Sequence, residues 1–395
     1  MSNLPCCQKE GSTGETYSHF AVYVLLTNTS ARCINQSPVH ATVHRLCTCR
    51  VRFVQASTHM LIWLCARFRA CPINRCACGP CHGTNLSMIT SLNGTPLSPL
   101  TFGTMQFGGN ADAAASRAMF DAARAAGITH FDTAYVYNGG ASETLLGEMI
   151  QQDRDSLIIA TKAAYDGGSG RENILNGFDV SQKRLQLDVV DILYLHRFDD
   201  DTPLQETFDA LATLKHAGKI RHIAVSNFAA WQVVKAQRVA LGFDVVIEMV
   251  QPMHSLVKRQ AEVEIFPMCV DQGLEIVPYS PLGGGLLTGK YASGGTGRLT
   301  EDHRYAARYN VDWMREAAVK LTALARDLGT NPATLAVAWA MAHPARPRPI
   351  VSARSAEQLA PSLDALHFEM TPELYTQITD FSVTPPPATD RIEEA

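Results

Sequence analysis

Val189-Val190-Asp191-Ile192-Leu193-Tyr194-Leu195-His196 is an apolar run interrupted only by Asp191 and closed by His196. Six residues later Thr202-Pro203-Leu204-Gln205 opens a helical pattern that Gly218 ends. An apolar stretch of this length, bounded by polar residues, reads as a strand buried on both faces, the mark of a parallel sheet covered by helices. Thr202 and Gln205 have the spacing of a capping box, and Pro203 suits a first helical position.

The same unit repeats on either side. Upstream, Leu97–Met105 is extended. Asn110 is placed to cap a helix over Ala111–Ala126 that Gly127 stops, and Ile128–Asp132 follows as a strand. A helix over Ser142–Gln151, a strand over Leu157–Lys162 and a helix over Arg171–Leu185 complete that half. Downstream, His222–Val225, Val245–Val250, Glu275–Tyr279 and Pro349–Ser352 read as strands. Helices are expected from Ala229, over Val311–Leu328, from Asn331-Pro332 to Ala342, and over Ser355–Leu366. Strand–helix alternation over roughly 300 residues predicts an α/β protein of the (β/α)8 barrel type, with a C-terminal extension. The rival, a doubly wound dinucleotide-binding sheet, needs Gly-x-Gly-x-x-Gly after an early strand. No such string occurs, and Gly283-Gly284-Gly285 is followed by Thr288 three residues on.

Composition narrows the function classes. The 395 residues are 46% hydrophobic and 18% charged, with a formal net charge of −4. That balance gives no electrostatic reason to expect nucleic acid, and no apolar run approaches the ~20 residues a membrane helix needs. A cytoplasmic protein is expected. Residues 1–87 differ from the rest: they hold ten of the eleven cysteines and eight Lys+Arg against two Asp+Glu. The remainder has 26 against 36. Ordered patterning begins at Met88, so the expected division is a Cys-rich extension, 1–87, and a barrel domain, 88–395. The extension is read as upstream sequence before a start at Met88, as an unstructured arm, or as a metal-binding module around Cys71, Cys76, Cys78, Cys81 and His82. In the barrel domain no Asp/Glu/His spacing suggests a metal.

Chemistry in such barrels sits at the carboxyl ends of the strands. Those ends carry Asp132, Lys162, His196, Ser226-Asn227, Gln251 and Tyr279-Ser280, with Tyr137 five residues after Asp132. Here the chain resembles the aldo-keto reductases, through Phe131-Asp132-Thr133-Ala134-Tyr135-Val136-Tyr137, Ala160-Thr161-Lys162, Leu193-Tyr194-Leu195-His196, Val225-Ser226-Asn227-Phe228 and Pro278-Tyr279-Ser280-Pro281-Leu282. Gly285-Leu286-Leu287-Thr288-Gly289-Lys290-Tyr291 and Ala353-Arg354-Ser355-Ala356-Glu357-Gln358-Leu359 extend the likeness, which runs from about Met88 to Phe381.

The resemblance implies a catalytic tetrad of Asp132, Tyr137, Lys162 and His196. Tyr137 would be the general acid or base, Lys162 would lower its pKa, Asp132 would hold Lys162, and His196 would orient the carbonyl. It also implies a nicotinamide cofactor. Ser226, Asn227 and Gln251 would hold the carboxamide, Tyr279 would stack on the ring, and Ser280, Leu282, Gly284 and Lys290 would follow the pyrophosphate. Arg354, before a Ser355–Gln358 capping box, would meet a ribose 2′-phosphate, which selects NADP(H), with NAD(H) as the alternative. After Gln358 the chain carries Pro361 and Ser362 where the family pattern has an acid and then Asn.

Gly283–Asn310 is expected to be a mobile lid over the pyrophosphate. Met105, Phe107, Tyr135, Tyr165, Phe198 and Met253 are candidates for the substrate wall. The implied partner is a small carbonyl or alcohol. Oligomeric state is not readable. The competing function is a cofactor-binding regulatory protein of the channel β-subunit type.

Overall fold

The computed structural model describes residues 89–291 and 294–389, together with 391 and 393. The readings made for residues 1–87 and for Met88 lie outside the described residues.

Eight strands form one parallel sheet: β1 Thr101–Gly103, β2 His130–Asp132, β3 Ile158–Ala163, β4 Val190–Leu195, β5 Ile220–Ser226, β6 Ile247–Gln251, β7 Glu275–Ile276 and β8 Ile350–Val351. Their order is β7-β6-β5-β4-β3-β2-β1-β8. The two outer strands meet through Arg348 N to Ile276 O and Ile350 N to Pro278 O, each 2.8 Å, which closes the sheet. The expected barrel is therefore present. The helices are α1 Ala113–Ala125, α2 Ala141–Ile150, α3 Arg171–Leu185, α4 Leu204–His216, α5 Ala230–Ala240, α6 Ile265–Gln272, α7 Arg298–Glu301, α8 His303–Tyr309, α9 Asp312–Asp327, α10 Pro332–Met341, α11 Ala356–Leu363 and, beyond the barrel, α12 Pro372–Thr379.

Strand side chains alternate with period two. One set, Phe131, Ile159, Leu193, Ile223 and Val250, joins the main core that includes the helix side chains. The other, Ile158, Ala160, Ile192, Tyr194, Ala224 and Met249, forms a separate cluster within the barrel, joined by Ile89 and Leu97 from the preceding turn. Following the second set one step further along each strand reaches Lys162, His196, Ser226 and Gln251, with Asp132 in the same position on β2. Apart from the buried Thr101–His130 pair lower down, joined at 2.9 Å, the interior is apolar up to its last layer, and that layer is polar.

Several start and stop signals act differently from their sequence reading. Asp112, not Asn110, caps α1, accepting from Ala115 N at 2.8 Å. Asn110 instead donates to Gln106. The Thr202–Gln205 box does not form: Pro203 is the N-cap and the Thr202 hydroxyl donates to Asp199 Oδ2 at 2.6 Å. Asp199 also accepts from Ser169 N. A nearby carboxylate thus outcompetes the helix end for that hydroxyl. Segment 283–310 is not one plain loop, since it contains a 3-10 turn, Gly283–Thr288, followed by α7 and α8.

Candidate active site

Lys162 is 1% exposed, and its ammonium is surrounded by acceptors. It donates to Asp132 Oδ1, to Thr133 O at 2.8 Å and to Tyr137 Oη at 3.4 Å. Its position at the top of β3, over the Tyr194 ring of β4, follows from the strand alternation. Asp132 accepts at its second oxygen from Gln251 Nε2, 2.9 Å away. The ion pair is therefore fully satisfied, the condition under which a buried pair is tolerated. The Tyr137 and His196 rings meet edge to face at 5.8 Å.

Tyr137 lies on the loop after β2, and that loop is pinned from outside the barrel. Arg184 of α3 donates to Tyr135 O at 3.0 Å and to the buried Glu143 at 3.1 Å, and stacks under the Tyr135 ring. Glu143 in turn accepts from Thr161 Oγ1 at 2.6 Å. Gly140 (φ +98°) leaves room for the guanidinium, because a Cβ there would stand 2.2 Å from Arg184 Cζ.

Lys162 lowers the Tyr137 pKa as expected, but burial outweighs it. Burial pushes the phenol up, Lys162 pulls it down, Asp132 pushes it up again, and the result is a raised pKa. At neutral pH Tyr137 is thus a protonated phenol beside a cation. For Lys162 burial acts downward, but Asp132 and Tyr137 together hold its pKa above the ordinary value. His196 is pushed down to about 3 by burial and by the charges of Lys162 and Arg197, so it is neutral.

A cleft of about 1260 Å³ runs from this group across the barrel mouth. Asp132, Tyr137 and His196 line it, while Lys162 lies behind them. All ten candidate cofactor residues, Ser226, Asn227, Gln251, Tyr279, Ser280, Leu282, Gly284, Lys290, Arg354 and Gln358, line the same cleft. Asn227 donates to His196 O at 2.9 Å and accepts from Tyr279 Oη at 2.7 Å. Asn227 and Ser280 both have positive φ, +58° and +64°. Left-handed non-glycine residues are uncommon and cluster at functional sites. An added Cβ at Gly284 (φ +66°) would lie 2.9 Å from the Tyr305 ring, so only glycine keeps this bend open. The volume of the cleft, its cationic rim and the cleft-lining Ser352, whose buried hydroxyl has no partner, fit an anionic dinucleotide.

Some expectations change here. Gln358 Oε1 accepts from Arg354 N at 2.8 Å, one residue before the Ser355 cap, so the box is displaced. Ser355 itself still caps Gln358 N. Ser362 is 1% exposed and away from the cleft, whereas Pro361 lines it. Of the proposed substrate wall, Met105 and Tyr165 line the cleft. Phe107 is core, Tyr135 lies over Arg184, Phe198 packs on Phe228, and Met253 faces Tyr309. Residues that sequence reading passed over are Arg298, Arg304, Tyr305 and Arg308 of α7–α8, all on the cleft wall. Their signal was three arginines in eleven residues of an otherwise unassigned segment. Glu301 of α7 pairs with Arg354 at 3.3 Å.

The polar top layer of the barrel thus brings an acid, a phenol and an imidazole onto one cleft, with an ammonium directly behind them. The chain matches the aldo/keto reductase family over residues 99–382, and it belongs to that family. It is 34% identical to the uncharacterized oxidoreductase YrpG of Bacillus subtilis over 73% of this chain and 93% of that one. It is 32% identical to a probable voltage-gated potassium channel subunit beta of Oryza sativa subsp. japonica, covering 73% and 92%. It is also 31% identical to an L-glyceraldehyde 3-phosphate reductase of Escherichia coli O157:H7, covering 70% and 86%.

Proposed function

We propose that this chain is an NADP(H)-dependent oxidoreductase that interconverts aldehydes or ketones and their alcohols, with Tyr137 as proton donor and acceptor. The observation that carries the reading is the Tyr137 hydroxyl, 3.4 Å from the Lys162 ammonium and beside a neutral imidazole on a dinucleotide-sized cleft.

The nicotinamide, when bound, supplies or accepts the hydride. Ser226, Asn227 and Gln251 would hold its carboxamide, Tyr279 its ring face, Ser280 to Lys290 the pyrophosphate, and Arg354 the 2′-phosphate. In reduction the Tyr137 O–H bond breaks as its proton passes to the carbonyl oxygen, and the phenolate left behind is stabilised by Lys162. His196 donates an N–H to the same oxygen and orients it. Asp132 fixes the ammonium, and Gln251 fixes Asp132. In oxidation Tyr137 takes the alcohol proton back. General acid catalysis of this kind contributes about 10²–10⁴-fold. The barrel, residues 88–395, is the catalytic unit in this reading, and a reaction drawing on a dissolved nicotinamide pool fits the cytoplasm.

The test is loss of reduced-nicotinamide absorbance with a panel of aldehydes and ketones, using NADPH and NADH at matched concentrations. Turnover with NADPH preferred supports the proposal, and clear NADH preference removes the Arg354 assignment. The channel β-subunit relatives motivate a second reading, a cofactor-binding regulatory protein with little turnover. Tight NADPH binding without turnover of any panel member favours it.

A further inference from the structure

We propose that Arg197 forms a subsite for an anionic group on the substrate, so that the preferred carbonyl compounds carry a carboxylate or phosphate a few carbons from the reacting carbon. The inference rests on the carbonyl-reducing reading above and names the substrate class for that same site.

Arg197 directly follows His196 and lines the cleft with it and with Tyr137. Its guanidinium lies 5.2 Å from the centre of the Tyr165 ring, and that ring lies 4.8 Å from His196. The cation is therefore two ring contacts from the group that orients the carbonyl. Arg197 is exposed, and no carboxylate among the described residues pairs with it. Neighbouring arginines are committed differently: Arg184 to Glu143, Arg304 to Asp302 and Arg354 to Glu301. Arg298 and Arg308 both lie over Tyr305, which itself lines Gly284 at the cofactor bend. Asp166, exposed on the same wall, makes no ion pair with Arg197.

A guanidinium held against an aromatic ring and pairing with no carboxylate keeps N–H donors for a bidentate oxyanion. The ring contact also restricts the side chain before ligand arrives, which reduces the ordering cost of binding. An exposed arginine whose one ring contact is worth about 0.5–1 kcal/mol adds little to folding, so the geometry is better explained by recognition. The remaining groups near the tetrad, Met105, Gln106, Asn110 and Asn138, are uncharged, and Arg304 reaches the Tyr165 side already carrying Asp302. Among the described cleft arginines without a carboxylate partner, Arg197 is the one whose ring contact leads to His196, whereas Arg298 and Arg308 lie over Tyr305 at the cofactor bend.

Matched pairs test this: 4-oxobutanoate against butanal, and glyceraldehyde 3-phosphate against glyceraldehyde, with the wild-type chain, Arg197→Met and Arg197→Lys. The wild type is expected to favour one or both charged members, which separates the carboxylate source from the phosphate source. Arg197→Met should collapse the charged-to-neutral ratio of kcat/KM by roughly 10- to 100-fold, mainly through KM, and Arg197→Lys should restore part of it. No charged preference, or equal losses for both members of each pair, overturns the subsite. Calorimetric titration of 4-hydroxybutanoate and of 1,4-butanediol into the NADP⁺-saturated chain separates this proposal from the reaction itself. If no carbonyl is turned over, selective binding of the anion that Arg197→Met abolishes still supports the subsite, and equal binding by both proteins ends it.

Discussion

On the β2–β4 side of the barrel mouth, Asp132 and Lys162 are 2% and 1% exposed, and every polar atom of the pair has a protein partner. On the β7–β8 side, the Arg354 and Glu301 side chains are 38% and 50% exposed and joined by one contact of 3.3 Å. The first region is held together by the protein's own groups and, in the proposed reaction, places charge where charge would develop. The second is a rim of long cations and glycine bends, suited to closing on a ligand that brings its own charge. Substitutions in the first should therefore act on chemistry, and those in the second on binding.

The largest test of that division is Tyr137→Phe. Deleting one oxygen removes the proposed proton donor and leaves the Lys162–Asp132 pair in place. We expect kcat to fall about 10²–10⁴-fold, while the dissociation constant for NADPH, read by fluorescence titration, stays close to that of the unaltered chain. A comparable loss of cofactor affinity would mean the two sides are not separable. The raised Tyr137 pKa sets the accompanying pH profile. Reduction needs the protonated phenol and should be flat through neutral pH, whereas oxidation needs the base form and should climb as pH rises. Reduction that already fades near neutrality would show the ammonium outweighing burial.

Acid stability reads the same buried side. His130 and His196 are each pushed down to about 3, first by burial and then by neighbouring cations. Between that value and the ordinary 6.5 the unfolded chain binds protons that the folded chain refuses. Stability present above about pH 6.5 should therefore be lost as pH falls toward 3, by up to about 1.4 kcal/mol per pH unit for each imidazole. Glu262, held down to about 2 because His254 and Arg259 outweigh its burial, adds a loss of the same sign below the usual carboxylate range. Urea unfolding midpoints across pH 4 to 7 check this, and a level profile would contradict neutral burial of these histidines.

How much of this was readable in the residues differs between the two sides, for a physical reason. Asp132, Lys162, His196, Ser226 and Gln251 each end a strand, and period-two alternation sends them all to one face of a closed sheet. Local pattern therefore predicts their meeting. The rim depends on competition that local pattern does not contain. Thr202 was a cap by spacing, but Asp199 took its hydroxyl. Gln358 was half of a capping box with Ser355, but it reaches past that residue to Arg354 N. The arginines of α7–α8 came into view only when that segment folded over the cleft. For Tyr137 the sequence supplies the neighbouring charge, which does pull the pKa down, but not the depth of burial that sets the net direction.

Gln251 lies on the border between the two regions, and its substitution sharpens where that border runs. Its amide nitrogen holds Asp132 at 2.9 Å, and Ser226, its neighbour on β5, donates to its backbone oxygen at 3.0 Å. Gln251→Leu keeps the volume but leaves one oxygen of a buried carboxylate unpartnered, a loss of about 1–3 kcal/mol in unfolding free energy. If Gln251 belongs to the buried side, kcat should drop roughly tenfold with KM for cofactor nearly steady. If it belongs to the rim, KM should rise and kcat hold.

Arg354→Met should have the smallest effect, and its size is set by exposure. A surface ion pair such as Arg354–Glu301 is worth about 0–1 kcal/mol and is screened by salt, so its loss should leave the melting temperature nearly unchanged. The measurable consequence is in selection between cofactors. A half-exposed guanidinium facing a 2′-phosphate can offer a few-fold to about tenfold preference, well short of a buried bidentate site. Glu301 would reduce it further, since its carboxylate, 3.3 Å from Arg354, would have to be displaced before a phosphate could bind there. The ratio of kcat/KM for NADPH over NADH should accordingly fall in Arg354→Met and rise in Glu301→Gln, with both differences shrinking at high salt. A ratio that moves in neither variant would place the 2′-phosphate elsewhere on the rim, and Arg298 or Arg308 would then be the residues to change next.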